Sequence, residues 1–108
     1  SVGNVHLQTK KAAEIDRKAL EAIDAVTDVP LVLHGGSGIP SDCRRALARE
    51  TSVCKFNIGT ELRMAFGTAL RETLDGEPQL FDRLTIMRGV APSVTNEAKR
   101  IMLELKEP

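Results

Sequence analysis

Apolar residues fall in two rhythms along the chain, one short and unbroken, the other spaced by three and four. Val29 and Leu31-Val32-Leu33 form a compact apolar run, and Val53-Cys54-Lys55-Phe56-Asn57-Ile58 forms another. Runs of that kind suit strands of a parallel sheet, buried on both faces. Ser1 to His6, with Val2 and Val5 among small residues, reads as the end of a further strand. Between them the spacing becomes helical. From Ala12 the positions Ile15, Ala19, Ala22/Ile23 and Val26 share one face, ending at Thr27-Asp28. A second helix is predicted over Ser41 to Glu50 with Cys43, Ala46 and Leu47 inward. A third starts at Thr60 as N-cap, carries Leu62, Phe66, Ala69/Leu70 and Thr73 inward, and stops near Asp75-Gly76. Residues 77–91 are less regular and predict one short helix. Pro92-Ser93 then opens a last helix with the stripe Val94, Ala98, Ile101/Met102 and Leu105.

Strands alternating with amphipathic helices imply an α/β fold with a parallel sheet. Three such strands leave naked edges and a half-covered core. The remainder is expected from preceding sequence or from other chains, in keeping with a start at Ser1 in what reads as a strand end.

Composition narrows the function classes. In 108 residues, 15 Lys+Arg balance 15 Asp+Glu, which argues against partners held by net charge, such as nucleic acid or an anionic membrane surface. No apolar run approaches the ~20 residues of a membrane span. Cys43 and Cys54 are too few for a disulfide scaffold, which points to a reducing cytoplasm and to packing roles for both. Arg44, Arg45 and Arg63 read as solvated helix faces. Lys55 reads as a strand-end residue, and Arg88 lies in the irregular segment.

The chemistry concentrates at strand ends. His6 and His34 are the two histidines, and each closes a predicted strand. Adjacent strands lie about 4.8 Å apart, so both rings could converge on one zinc ion; the alternative is a hydrogen-bonded core or loop histidine. A catalytic zinc takes three protein ligands, and no further Cys or His is placed to supply the third. Gly35-Gly36-Ser37-Gly38 follows His34 and precedes a helix start at Pro40 or Ser41. Asn57-Ile58-Gly59-Thr60 follows the next strand. Two successive glycine turns at helix N-termini suit phosphate, because unpaired N–H groups and the helix dipole favour an anion. Taken singly, each reads as a tight turn, and Asn57 as an Asx-turn.

The segments Gly3-Asn4-Val5-His6, Val29-Pro30-Leu31-Val32-Leu33-His34-Gly35-Gly36-Ser37-Gly38-Ile39-Pro40 and Lys55-Phe56-Asn57-Ile58-Gly59-Thr60-Glu61-Leu62 resemble the C-terminal portion of class II, metal-dependent ketose-bisphosphate aldolases of the fructose- or tagatose-bisphosphate type. That resemblance implies a (β/α)₈ barrel, of which residues 1–108 supply strands six to eight with their helices as part of a single domain. It implies zinc held by His6 and His34, and a substrate and its phosphate held by Gly35, Gly36, Ser37, Asn57, Gly59 and Thr60, with Asn57 near the dihydroxyacetone-phosphate moiety. It also implies a phosphorylated ketose as substrate and a dimer or tetramer as the assembly. The family's catalytic aspartate and third zinc histidine belong to earlier strands, so no catalytic residue is expected in these 108 residues, and they alone are expected to be inactive. Leu7 stands where many members carry glycine, and Gly59 where many fructose-type members carry aspartate. Two rival expectations keep the barrel: a non-catalytic sugar-phosphate-binding relative, and a metal-free phosphosugar isomerase using both histidines as acid and base.

Overall fold

In a computed structural model, residues 2–4 and 13–106 are described. The element order is α1 (Arg17–Asp24), β1 (Leu31–Leu33), α2 (Ser41–Glu50), β2 (Val53–Phe56), α3 (Thr60–Gly76) and α4 (Arg83–Lys106). β1 and β2 pair in parallel, with Leu31 opposite Val53 and Leu33 opposite Phe56, and α2 makes the crossover between them. The α/β reading therefore holds, with two parallel strands among the described residues. Val2 to Asn4 form no strand, and Val5 and His6 lie outside the described residues.

The molecule is elongated, 58 × 24 × 21 Å, and its core cluster is drawn from the segments up to β2. Val2, Ala13, Leu20, Leu33, Ile39, Leu47 and Val53 form it, and Ile39 and Leu47 are fully buried. Asp16 starts α1 by accepting a hydrogen bond from Ala19 N–H at 3.0 Å, the standard use of a short acidic cap. Starting at Arg17 gives α1 only eight residues, and Leu20 becomes its buried anchor. Ile23 is half-exposed, and Val26 falls past the helix end into solvent. Ile15 and Ala19 of the predicted stripe pack against the core, while Ala22, Ile23 and Val26 are exposed, so only its first part is covered.

The largest departure is in the last third of the chain. Instead of a short helix and then a new one at Pro92, a single α4 of 24 residues runs through Pro92. Asp82 starts it: its carboxylate accepts from Thr85 N–H at 2.9 Å and from Thr85 Oγ1–H at 2.6 Å. Those hydrogen bonds hold the Asp82 carboxyl below the usual carboxylate range. An interior proline costs a helix about 3 kcal/mol. Val90 and Ile101 are buried on either side of it, and full burial of such a side chain contributes about 1.5–3 kcal/mol each. Packing of α4 on its neighbours therefore offsets the proline. Gly89 faces α3, where a Cβ would make ordinary contact with the Thr73 side chain at 3.6 Å.

Candidate functional site

The segment after β1 turns where the sequence places glycine. Gly35 and Gly38 have φ of +64° and +86°, the left-handed region that other residues rarely adopt. Gly36 packs against the end of β2: its N–H donates to the Asn57 carbonyl at 2.9 Å, and a Cβ would meet that same oxygen at 3.2 Å. Asn57 N–H in turn donates to the Leu33 carbonyl at 2.9 Å, extending the strand pairing into both turns. Ile39, fully buried in the core, anchors the far end of the loop.

His34, Gly35, Ser37, Phe56, Asn57, Ile58, Gly59, Thr60 and Arg63 line one cavity of about 450 Å³. Two loops separated in sequence thus line one cavity.

Ser37 has a role the sequence does not show. It is 3% exposed, and its Oγ accepts from Gly59, Thr60 and Glu61 N–H at 3.2, 3.0 and 3.4 Å. The hydroxyl therefore caps α3 from the neighbouring loop. Gly59, not Thr60, occupies the N-cap position, and Thr60 is the buried first residue of the helix. With its lone pairs taken by three amides, Ser37 has one group left to offer, its O–H proton. Among the described residues no acceptor takes that proton, so Ser37 relays the electropositive end of α3 to whatever lies in the cavity. Ser37→Ala should lower stability by about 1 kcal/mol, the typical value of a lost cap, and weaken phosphate binding as well. A urea titration with parallel phosphate binding checks this; unchanged values in both would exclude the relay.

His34 sits where β1 ends, exposed, with Nδ1 3.1 Å from the Asn57 side-chain amide nitrogen. Its carbonyl accepts a hydrogen bond from the Asn4 side chain. The Asn57 amide nitrogen can only donate, so Nδ1 accepts and the neutral ring carries its proton on Nε2. The ring has a lone pair for zinc at Nδ1, in place of that hydrogen bond. It is one donor of the three required, and no group of three or more His, Cys, Asp or Glu able to hold a metal is gathered among the described residues. His6, the other expected ligand, lies outside them.

Behind the cavity lies a charge cluster. Arg44 is 1% exposed, the opposite of the solvated position expected for it. Its Nη1 lies 3.3 Å from Glu61 on α3 and its Nη2 3.5 Å from Glu104 on α4. Arg100 also pairs with Glu61, at 2.9 Å, and with Glu97 and Glu104. Hydrogen bonding to Glu97, with the nearby carboxylates, holds the Arg100 guanidinium more firmly charged than usual. Arg45 is half-buried and donates to the Glu104 carbonyl at 3.2 Å. The signal for Arg44 was its place three residues before Leu47, on the inward face of α2. Arg63 is exposed, as expected, but faces the cavity.

The cysteines divide. Cys43 is half-buried, and burial pushes its thiol pKa up, which keeps it protonated and unreactive. Cys54 is exposed, not packed in a strand interior as expected, because its side chain leaves the open face of a two-stranded sheet. Among the described residues no helix is long and apolar enough to cross a membrane.

Residues 1–107 match the family model described as class-II fructose-bisphosphate aldolase. The chain is 40% identical over 83 residues to a fructose-bisphosphate aldolase of Geobacillus stearothermophilus, covering 76% of this chain and 28% of that protein. A fructose-bisphosphate aldolase of Mycoplasma pneumoniae is 40% identical over 81 residues, covering 73% and 27%. One from Staphylococcus epidermidis is 39% identical over 83 residues, covering 76% and 28%. The match thus spans little more than a quarter of each curated relative.

Proposed function

The chain belongs to the class-II fructose-bisphosphate aldolase family, and on that premise we propose that it forms the C-terminal part, strands six to eight, of a (β/α)₈ barrel that reversibly cleaves a phosphorylated ketose. The products are dihydroxyacetone phosphate and an aldehyde, a step of carbohydrate metabolism in the cytoplasm, and the complete enzyme works as a homo-oligomer. The observation that carries this reading is the single cavity joining His34 to Ser37 and the start of α3. A metal ligand and an anion-binding turn on one short loop suit a substrate with a carbonyl and a phosphate a few bonds apart.

In this reading Ser37 donates its proton to the phosphate, and Gly35 and Gly36 let backbone N–H groups approach it closely. Gly59 and Thr60 close the other side. Asn57 holds the His34 ring and reaches the substrate oxygens nearest it. His34 and His6 would hold zinc, which supplies Lewis-acid polarisation of the ketose carbonyl. Phosphate contacts fix the carbon chain against that centre, so that binding energy is spent on position. The group that moves the proton belongs to another part of the barrel.

The test is cleavage of fructose 1,6-bisphosphate by the complete enzyme, before and after chelation. Cleavage that stops with chelator and returns with zinc is the expected result. Binding of the sugar phosphate without turnover would favour the non-catalytic relative, and chelator-resistant isomerisation the metal-free isomerase.

A further inference from the structure

The charge cluster behind the cavity is tied to Ser37 through one residue, Glu61. Its N–H donates to Ser37 Oγ at 3.4 Å. Its carboxylate faces Arg44 Nη1 at 3.3 Å and Arg100 Nη2 at 2.9 Å. Arg44 stands in the first turn of α2, its N–H donating to the Pro40 carbonyl at 2.9 Å. α2 continues directly from the turn that carries Ser37, through the fully buried Ile39. One residue of α3 therefore grips both ends of the segment from Ser37 to Arg44, and chain, cap and ion pair close a ring.

Stability alone is a poor reason for that ring. A buried ion pair seldom outperforms apolar side chains of similar volume, because desolvation offsets the attraction. Here the Arg44 side chain is 1% exposed, and its Nη2 lies 3.5 Å from Glu104 Oε2. Neither of those two atoms is hydrogen-bonded among the described residues. What a directional pair supplies is a fixed separation between two elements that apolar contacts would let slide. The Ser37 cap depends on that separation, since the bond from Glu61 N–H is already long for a hydrogen bond. Once α3 slips away, the hydroxyl is free to turn its proton toward a neighbouring backbone carbonyl, a common habit of serine.

We propose that Arg44 and Glu61 are positioning residues of this site. Their ion pair holds the start of α3 at the distance where Ser37 caps it, and so keeps the Ser37 proton available to an anion in the cavity. This rests on the reading of the cavity as a sugar-phosphate site. Neither Arg44 nor Glu61 lines the cavity. The pair acts through Ser37, and its effect on binding is bounded by what loss of the Ser37 hydroxyl costs.

The test uses the complete enzyme and inorganic phosphate, with affinity measured by calorimetry. It compares wild type, Ser37→Ala, the double variant Arg44→Met with Glu61→Gln, and the triple variant. The double variant removes both charges together and strands no buried ion, so its melting curve should stay close to that of wild type. A hydrogen bond to a charged group corresponds to about tenfold to a hundredfold in affinity. Ser37→Ala should weaken phosphate binding by that range, and the double variant by the same factor or less. The triple variant should bind no more weakly than Ser37→Ala alone, because residues that act as a unit are not additive. Unchanged phosphate affinity in the double variant overturns the proposal, as does an equal loss with and without the Ser37 hydroxyl. Should the double variant fail to fold, Glu61→Gln alone, which keeps an acceptor toward Arg44, carries the same comparison. Wild-type protein that binds no phosphate overturns the proposal and the sugar-phosphate reading together. Phosphate binding that depends on the pair in an enzyme without cleavage activity supports the pair and removes the lyase reading instead.

Discussion

Replacing Arg44 with alanine is expected to destabilise the fold by about 3 kcal/mol, at the lower end of the 3–5 kcal/mol typical of a buried ion pair broken on one side. Arg44 is 1% exposed, and the Glu61 side chain facing it is 10% exposed. Removing the guanidinium leaves Glu61 and Glu104 short of a counter-charge where water cannot replace it. The loss stays near the lower bound because Arg100 still pairs with both carboxylates from a more exposed position. The double variant Arg44→Met with Glu61→Gln should recover much of the loss, since it removes the stranded charge together with its partner. Urea unfolding measures both. A change below about 1 kcal/mol for Arg44→Ala would mean that the pair behaves as a surface bridge.

The second large effect concerns activity. His34→Ala in the complete enzyme should reduce ketose cleavage by roughly a thousandfold, the equivalent of several kcal/mol of lost Lewis-acid stabilisation at 1.36 kcal/mol per tenfold. The ring is exposed at the cavity mouth, so the substitution should leave the melting curve almost unchanged. Bound zinc should fall together with activity while phosphate binding persists, because Ser37 and the start of α3 are untouched. Full zinc content and full activity in the alanine variant would remove His34 from the metal centre.

Much of this was legible beforehand, and the reason is local. The bounds of the helix over Ser41–Glu50, the strand start at Val53, the strand end at Leu33 and the helix end at Gly76 follow from patterns within one or two turns, while β1 starts at Leu31 and not at Val29. The Gly35 to Gly38 turn is read from composition, because only glycine takes those φ values freely. Pro92 misled for the same reason: its local preference is to open a helix, and the burial of Val90 and Ile101 that overrides it is a property of α3 and α4 together.

The sequence by itself determined the strand–glycine turn–helix order, the place of His34 at a strand end and the kinship of the chain with a family of aldolases. Only the tertiary structure decided that Ser37 caps a helix beginning 23 residues later, that Arg44 is enclosed by carboxylates of two other helices, and that Arg63 turns toward the cavity. Periodicity reports which face of an element is apolar. It does not report which element will cover a polar residue on that face, because a buried charge or hydroxyl is satisfied by partners that the chain brings back from far along its length.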